Sequence, residues 1–93
     1  MLPLNILVEG ETDKRYLEAI ANTLNIPTPN TISAGSATKV VGQIQFFNSL
    51  AEDLEFKPVV RVVLDNDDEG RKAYQHLNKN IAKDMCKNLD IEL

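Results

Sequence analysis

Val59-Val60-Arg61-Val62-Val63-Leu64, followed directly by Asp65-Asn66-Asp67-Asp68-Glu69-Gly70, is the stretch whose reading decides the fold. Its first half is a β-branched run with one charge. Such a run suits a central parallel strand buried on both faces. Arg61 then has to reach outward or find a partner. Its second half is a dense acidic turn that ends in glycine, and a helix is expected to start near Glu69 or Gly70.

Outward from this stretch, strands and helices alternate. Downstream, Ala73, Tyr74, Leu77, Ile81 and Met85 recur at helical spacing. Residues 90–93 are read as the opening of a fourth strand or as a frayed tail. Upstream, Lys57-Pro58 closes a helix expected over 37–54, with Val40, Val41, Ile44, Phe47, Leu50, Ala51 and Leu54 on one face. Gly35-Ser36 separates that helix from a short strand at 31–34. Pro27 and Pro29 make the preceding segment a loop. A first helix over 12–25 carries Tyr16, Leu17, Ile20, Ala21 and Leu24 at 3–4 spacing. Glu11 and Asp13 suit its positive N-terminal end. The chain begins with a strand at residues 4–8. This alternation implies right-handed βαβ crossovers. The expected fold is α/β: a Rossmann-like parallel sheet of three to four strands with helices on both faces. Tyr16 and Tyr74 are expected in the core.

The 93 residues, 43% of them hydrophobic, suit one small domain, residues 1–93, excised from or truncated relative to a longer protein. No apolar run reaches the length of a membrane span, and the start has no signal-peptide pattern, so the cytoplasm is the default expectation. The single cysteine, Cys86, excludes an internal disulfide and a cysteine zinc site. It is read as a small, partly buried thiol in the last helical pattern. One histidine, His76, gives no support to a His-His metal site or a Ser-His-Asp triad. It is expected on an exposed or half-exposed helix face. The formal net charge of −4 is unlike that of a protein holding nucleic acid by electrostatics alone.

The position of the acids bears on that point. The first strand runs into Glu9-Gly10-Glu11-Thr12-Asp13, and the strand at 59–64 runs into Asp65-Asn66-Asp67-Asp68-Glu69-Gly70. These two turns hold seven of the fourteen acids, and ligands in open parallel sheets bind beyond the carboxyl ends of the strands. Packed carboxylates repel, so their pKa values rise unless a cation is present. A hard divalent ion such as Mg²⁺, which takes oxygen ligands, is the natural remedy. Glu9, Asp65 and Asp67 form the expected site. Glu11, Asp68 and Glu69 are read as helix-dipole partners and solvated turn residues, and Asp13 is balanced between the two roles. Gly10 and Gly70 are expected to let the backbone approach closely. Gly35-Ser36-Ala37-Thr38-Lys39 lacks P-loop spacing and is read as a loop into the next helix. The sharper alternative is a phosphate contact at Lys39.

Ile6-Leu7-Val8-Glu9-Gly10-Glu11-Thr12-Asp13, with Lys14-Arg15-Tyr16-Leu17, resembles the first motif of Toprim domains. Val62-Val63-Leu64-Asp65-Asn66-Asp67-Asp68-Glu69-Gly70-Arg71 resembles the second, the D-x-D after a later strand. The V-E-G-x-x-D form is most similar to Toprim domains of the OLD family (overcoming lysogenization defect) of ATP-dependent nucleases. D-N-D-x-x-G also occurs in primase-type Toprims. The resemblance covers nearly the whole chain. It implies Mg²⁺- or Mn²⁺-dependent phosphodiester chemistry on nucleic acid, foremost DNA endonuclease activity with one or two ions. Glu9 would be metal ligand or general acid–base, Asp65 and Asp67 metal ligands, and Asp13 an extra acid for a second metal. It also implies an ABC-type ATPase domain as partner, because OLD-type Toprim domains usually follow one, and it implies no membrane; the chain itself has no P-loop and so no ATPase of its own.

Two other readings stay open. One is a primase-type or RNA-maturation Toprim domain. The other is a non-catalytic, metal-binding recognition module. A phospho-receiver domain also gathers acids at the sheet edge. It would place the acid pair after the first strand and a lone Asp after the third, the reverse of the pattern here.

Overall fold

A computed structural model describes all residues, 1–93. Four strands form one all-parallel sheet: β1 (Leu4–Val8), β2 (Thr31–Ser33), β3 (Val59–Val63) and β4 (Asp90–Glu92). Three helices connect them: α1 (Glu11–Thr23), α2 (Val40–Leu50) and α3 (Asp68–Ala82). The sheet order is β2-β1-β3-β4. β1 steps one way to β2, and the chain then crosses back over β1 to β3. With right-handed crossovers, that reversal puts α1 on one face and α2 and α3 together on the other. Side-chain contacts tie the latter pair together: Gln45 Nε2 donates to Asn80 Oδ1 at 3.3 Å. The backbone N–H of Asn88, in the turns after α3, donates to Asn48 Oδ1 on α2 at 2.8 Å.

The core lies on the α2–α3 side. Leu7, Val60 and Val62 point into it from the sheet, meeting Val40, Val41, Ile44, Phe47 and Ala51 from α2 and its C-cap. Leu77 closes it from α3, with Cys86 and Leu89 from the following turns. Burying a Leu or Ile side chain of this kind contributes about 2 kcal/mol. Asn5 shares this face of β1 and is fully buried. Its amide donates to the carbonyls of Leu2 and Val59, and its Oδ1 accepts from Asn30 at 2.6 Å. It fastens the loop before β2 and the start of β3 to the first strand.

The α1 side is covered only in part, and apolar residues stay exposed on the helices of both faces, which overturns the burial expected for β3, for the tyrosines and for the helix stripes. β3 is not buried on both faces: Val60 and Val62 are buried, whereas Arg61 and Val63 are exposed. α1 packs over β1 and β2 and leaves β3 open above. Arg61 does find a partner, Glu92 of β4, at 2.7 Å. Neither tyrosine is in the core; Tyr16 is 67% and Tyr74 47% exposed. On α1 only Ala21 is fully buried, because a helix laid on one half of a sheet turns a narrow stripe inward. On α3, Ala73 and Leu77 are buried but Ile81 is exposed, and Met85, expected on the same helix, lies exposed in the turns after it.

Three boundaries also differ. The helix expected over 37–54 begins as a 3₁₀ turn, Ala37–Lys39, and its α-helical part stops at Leu50. Glu52, Asp53 and Glu55 follow, and acids are unfavourable at the negative end of a helix. Leu50 and Leu54 are accordingly exposed. Cys86 is more deeply buried than the partly buried thiol expected, and it lies in the turns after α3 rather than in the helix. Both short outer strands do form, β2 as Thr31–Ser33 and β4 as Asp90–Glu92.

Candidate functional site

The reversal in strand order makes β1 and β3 neighbours, with Val8 beside Val63 in the register. This is the topological switch point, where α1 and α3 leave toward opposite faces. In open α/β sheets it forms the ligand crevice. The two acidic turns follow these two strands, so Glu9 and the 65–70 turn face each other across that crevice.

Glu9 is the buried member, 8% exposed at the end of β1. Its Oε2 accepts a hydrogen bond from the backbone N–H of Asp65. Oε1 has no protein partner, yet no buried side-chain oxygen is left unsatisfied. Oε1 therefore reaches solvent. Burial pushes the Glu9 carboxyl above its ordinary value. The Asp65 N–H pulls it down, and the charges of Asp65, Asp67 and Asp13 push it further up. The repulsion expected between these carboxylates is thus felt at Glu9.

Asp65, Asp67, Asp68 and Glu69 are exposed. Asp67 caps α3: its Oδ1 accepts from the Gly70 N–H at 2.7 Å, the arrangement that satisfies an orphan donor of the first turn. Asp68 pairs with Arg71 at 2.6 Å and Glu69 with Lys72 at 3.7 Å, both at i,i+3 spacing on the exposed surface. Glu11, Asp68 and Glu69 all stand in the first turn of a helix, the dipole position expected of them. Asp13 reaches back along α1, its Oδ2 accepting from the Gly10 N–H at 3.3 Å. Lys39 lies in the segment after β2, at the same carboxyl edge. Its side chain folds toward Gly35 and forms no ion pair within 4.0 Å.

The two glycines differ. A Cβ at Gly70 would stand 1.9 Å from the Asp65 carbonyl oxygen, so only glycine lets α3 start against the strand end. A Cβ at Gly10 would meet nothing nearer than Asp13 Oδ2 at 3.8 Å. The close approach expected at both positions exists at Gly70 alone.

The structure thus gathers Glu9, Asp13, Asp65 and Asp67 around one crevice. It does not draw three of them onto one point: no three His, Cys, Asp or Glu side chains stand together as a metal-holding group. Three carboxylates each give one oxygen to a backbone N–H. The second oxygens of Glu9, Asp13 and Asp67, and both of Asp65, are left as hard donors. That set fits Mg²⁺ or Mn²⁺ in chemistry. Asp65 and Asp67, being exposed, keep the rotamer freedom that ligation would draw on. The motif reading passed over Asn5 and Asn80, which are buried polar residues. An Asn inside the apolar run Leu4-Asn5-Ile6-Leu7-Val8 was the available signal for the first.

No protein-family model, no curated protein and no solved structure matches this chain.

Proposed function

We propose that this chain is a Toprim-like domain that carries out Mg²⁺- or Mn²⁺-dependent phosphodiester chemistry on nucleic acid. DNA endonuclease cleavage, in the manner of OLD-family nucleases working with an ABC-type ATPase partner, is the specific form. The observation that carries the reading is the placement of buried Glu9 opposite Asp65 and Asp67 at the β1/β3 switch point, within the field of Asp13. The resemblance of the two strand-end motifs, which rests on the same acids, adds to it.

In this reading Glu9, Asp65 and Asp67 hold the ion, with Asp13 beside them. A bound divalent ion supplies Lewis-acid stabilisation of phosphate charge and lowers the pKa of bound water. The chain's own contribution is positional. The Asp65 N–H holds Glu9 Oε2, which leaves the solvent-reaching Oε1 to serve either as a metal ligand or as the atom that takes or returns a proton. Gly70 and the Asp67 cap fix the turn that presents Asp65.

A second reading rests on the hydrogen bonds already made. Asp13 and Asp67 serve as helix caps, and Glu9 ties β1 to the β3 turn, so the acids brace a non-catalytic recognition module. Metal titration separates the two. Millimolar Mg²⁺ or Mn²⁺ is expected to give calorimetric heat and to raise the melting temperature, the folded state being stabilised by about 2.7 kcal/mol at a hundred-fold excess over Kd. Glu9→Gln and Asp65→Asn are each expected to abolish that response and the nicking of plasmid DNA. Absence of any heat or melting shift with either ion would leave the bracing role as the function of these acids.

A further inference from the structure

On the far side of α3 from the acids' repulsion, the surface reverses sign. A cleft of about 400 Å³ lies between α2 and α3, lined by Gln45, His76, Lys79, Asn80, Lys83 and Met85. It contains no carboxylate, in a chain that carries fourteen acids and ten Lys and Arg. Lys79 and Lys83 have no acidic partner within 4.0 Å. His76 joins this cleft to a second one of about 180 Å³, which runs toward the 3₁₀ turn through Thr38 and Lys72. The one acid there, Glu69, is paired with Lys72 at 3.7 Å on the exposed surface, a contact worth little and easily exchanged.

Lys72, His76, Lys79 and, at the C-cap, Lys83 follow one another at intervals of four, three and four residues, so they stand on one flank of α3 and its end. That flank is next to the buried stripe of Gly70, Ala73 and Leu77 and looks across to α2. The row spans about 16 Å along the axis. That is the length of about five nucleotides of one strand at their helical rise. The floor is polar and held in place: Asn80, 6% exposed, donates to the His76 carbonyl at 2.9 Å and accepts from Gln45. One end of the row, Lys72, lies one turn into α3, the helix that starts from the acidic 65–70 turn.

We infer that the α2–α3 groove is a track for the phosphodiester backbone of a single nucleic-acid strand, held by Lys79, Lys83 and Lys72 with hydrogen bonds from His76 and Gln45. The placement explains how an acidic chain can hold a polyanion: seven of its fourteen acids stand in the two strand-end turns, whereas Lys72, Lys79 and Lys83 line the groove. Its use as a substrate track rests on the phosphodiester reading above; the binding itself does not.

The test is fluorescence anisotropy with a labelled oligothymidine strand in EDTA, so that no divalent ion takes part. Affinity should fall with salt with a logarithmic slope of about −2, from three lysine contacts at about 0.7 each. The double variant Lys79→Gln with Lys83→Gln should weaken binding roughly tenfold and flatten the slope by about 1.4. Lys79→Arg with Lys83→Arg should restore it. A slope and affinity unchanged in the glutamine variant, no binding by the native chain, or equally tight binding of polyglutamate would each overturn the inference. Mg²⁺ calorimetry on the same glutamine variant reports on the acidic crevice separately. Lysine-dependent strand binding with no metal heat would keep the groove and remove the phosphodiester reading. Metal heat with lysine-independent binding would do the reverse.

Discussion

The turn after β1 and the turn after β3 look alike as sequence, each a carboxylate run with a glycine where a helix begins, yet they are built differently. The β3 turn is tightly determined. Gly70 packs against the Asp65 carbonyl with no room for a methyl group, and Asp67 caps α3. Its acids are exposed and two of them are paired with neighbouring cations. The β1 turn is sterically loose at Gly10 but electrostatically strained, since Glu9 is buried among like charges. One turn contributes a rigid frame and the other a perturbed carboxyl, and the single Asp65 N–H to Glu9 hydrogen bond couples them. Similar motifs at a sheet edge therefore need not play similar physical roles.

Gly70→Ala is expected to have the largest effect on this contrast. The new Cβ would have to displace the backbone of Asp65, and overpacking of that kind costs about 3 kcal/mol. Chemical denaturation should show it, and the shift of Asp65 should also disturb the bond to Glu9. A loss below about 0.5 kcal/mol would mean that the β3 turn is as loose as the β1 turn.

Glu9→Gln comes next and acts in the opposite direction. It keeps a hydrogen-bond acceptor for Asp65 N–H and removes the buried charge. Without metal at neutral pH, it should gain stability, within about 1 kcal/mol. The sign follows from linkage. The folded protein holds the Glu9 proton more tightly than the unfolded chain does. The associated stability is therefore fully present below the ordinary value of 4.5 and is lost as pH rises through the raised folded value. The difference in unfolding free energy between native chain and variant should vary with pH across that window and be flat above it. A pH-independent difference would show that Glu9 is not strained.

Gly10→Ala should be the smallest, within about 0.5 kcal/mol. Gly10 adopts an extended conformation, φ −134°, open to any residue. The poorer N-cap preference of alanine is offset by the lower entropy of the unfolded chain. A loss as large as that of Gly70→Ala would erase the contrast between the turns.

The same division separates what was legible in the residues from what was not. The acids after the two strands, the helical period of Ala73 and Leu77 and the prolines at 27 and 29 are local signals, and the elements they imply are present. No helix is long and apolar enough to cross a membrane. The exposure of Tyr16 and Val63 was not legible, because an apolar residue at the right period does not reveal whether a neighbouring element covers it. Nor was the basic row on α3. Its residues, running from Lys72 to Lys83 at the helix end, are scattered among polar neighbours, and it becomes a groove only when α2 supplies the other wall.

By itself, then, the sequence determined the alternation of strands and helices, the parallel sheet that right-handed crossovers require, and the loading of carboxylates onto two strand ends. These follow from side-chain period and backbone chirality, which act over a few residues. Tertiary structure alone decided that β1 lies beside β3, which brings Glu9 to Asp65, and that one face of β3 stays open. It also set Gly70 against Asp65 and Lys79 and Lys83 along a groove. Those are contacts between residues far apart in the chain, and they depend on which element packs on which, a choice no local pattern encodes.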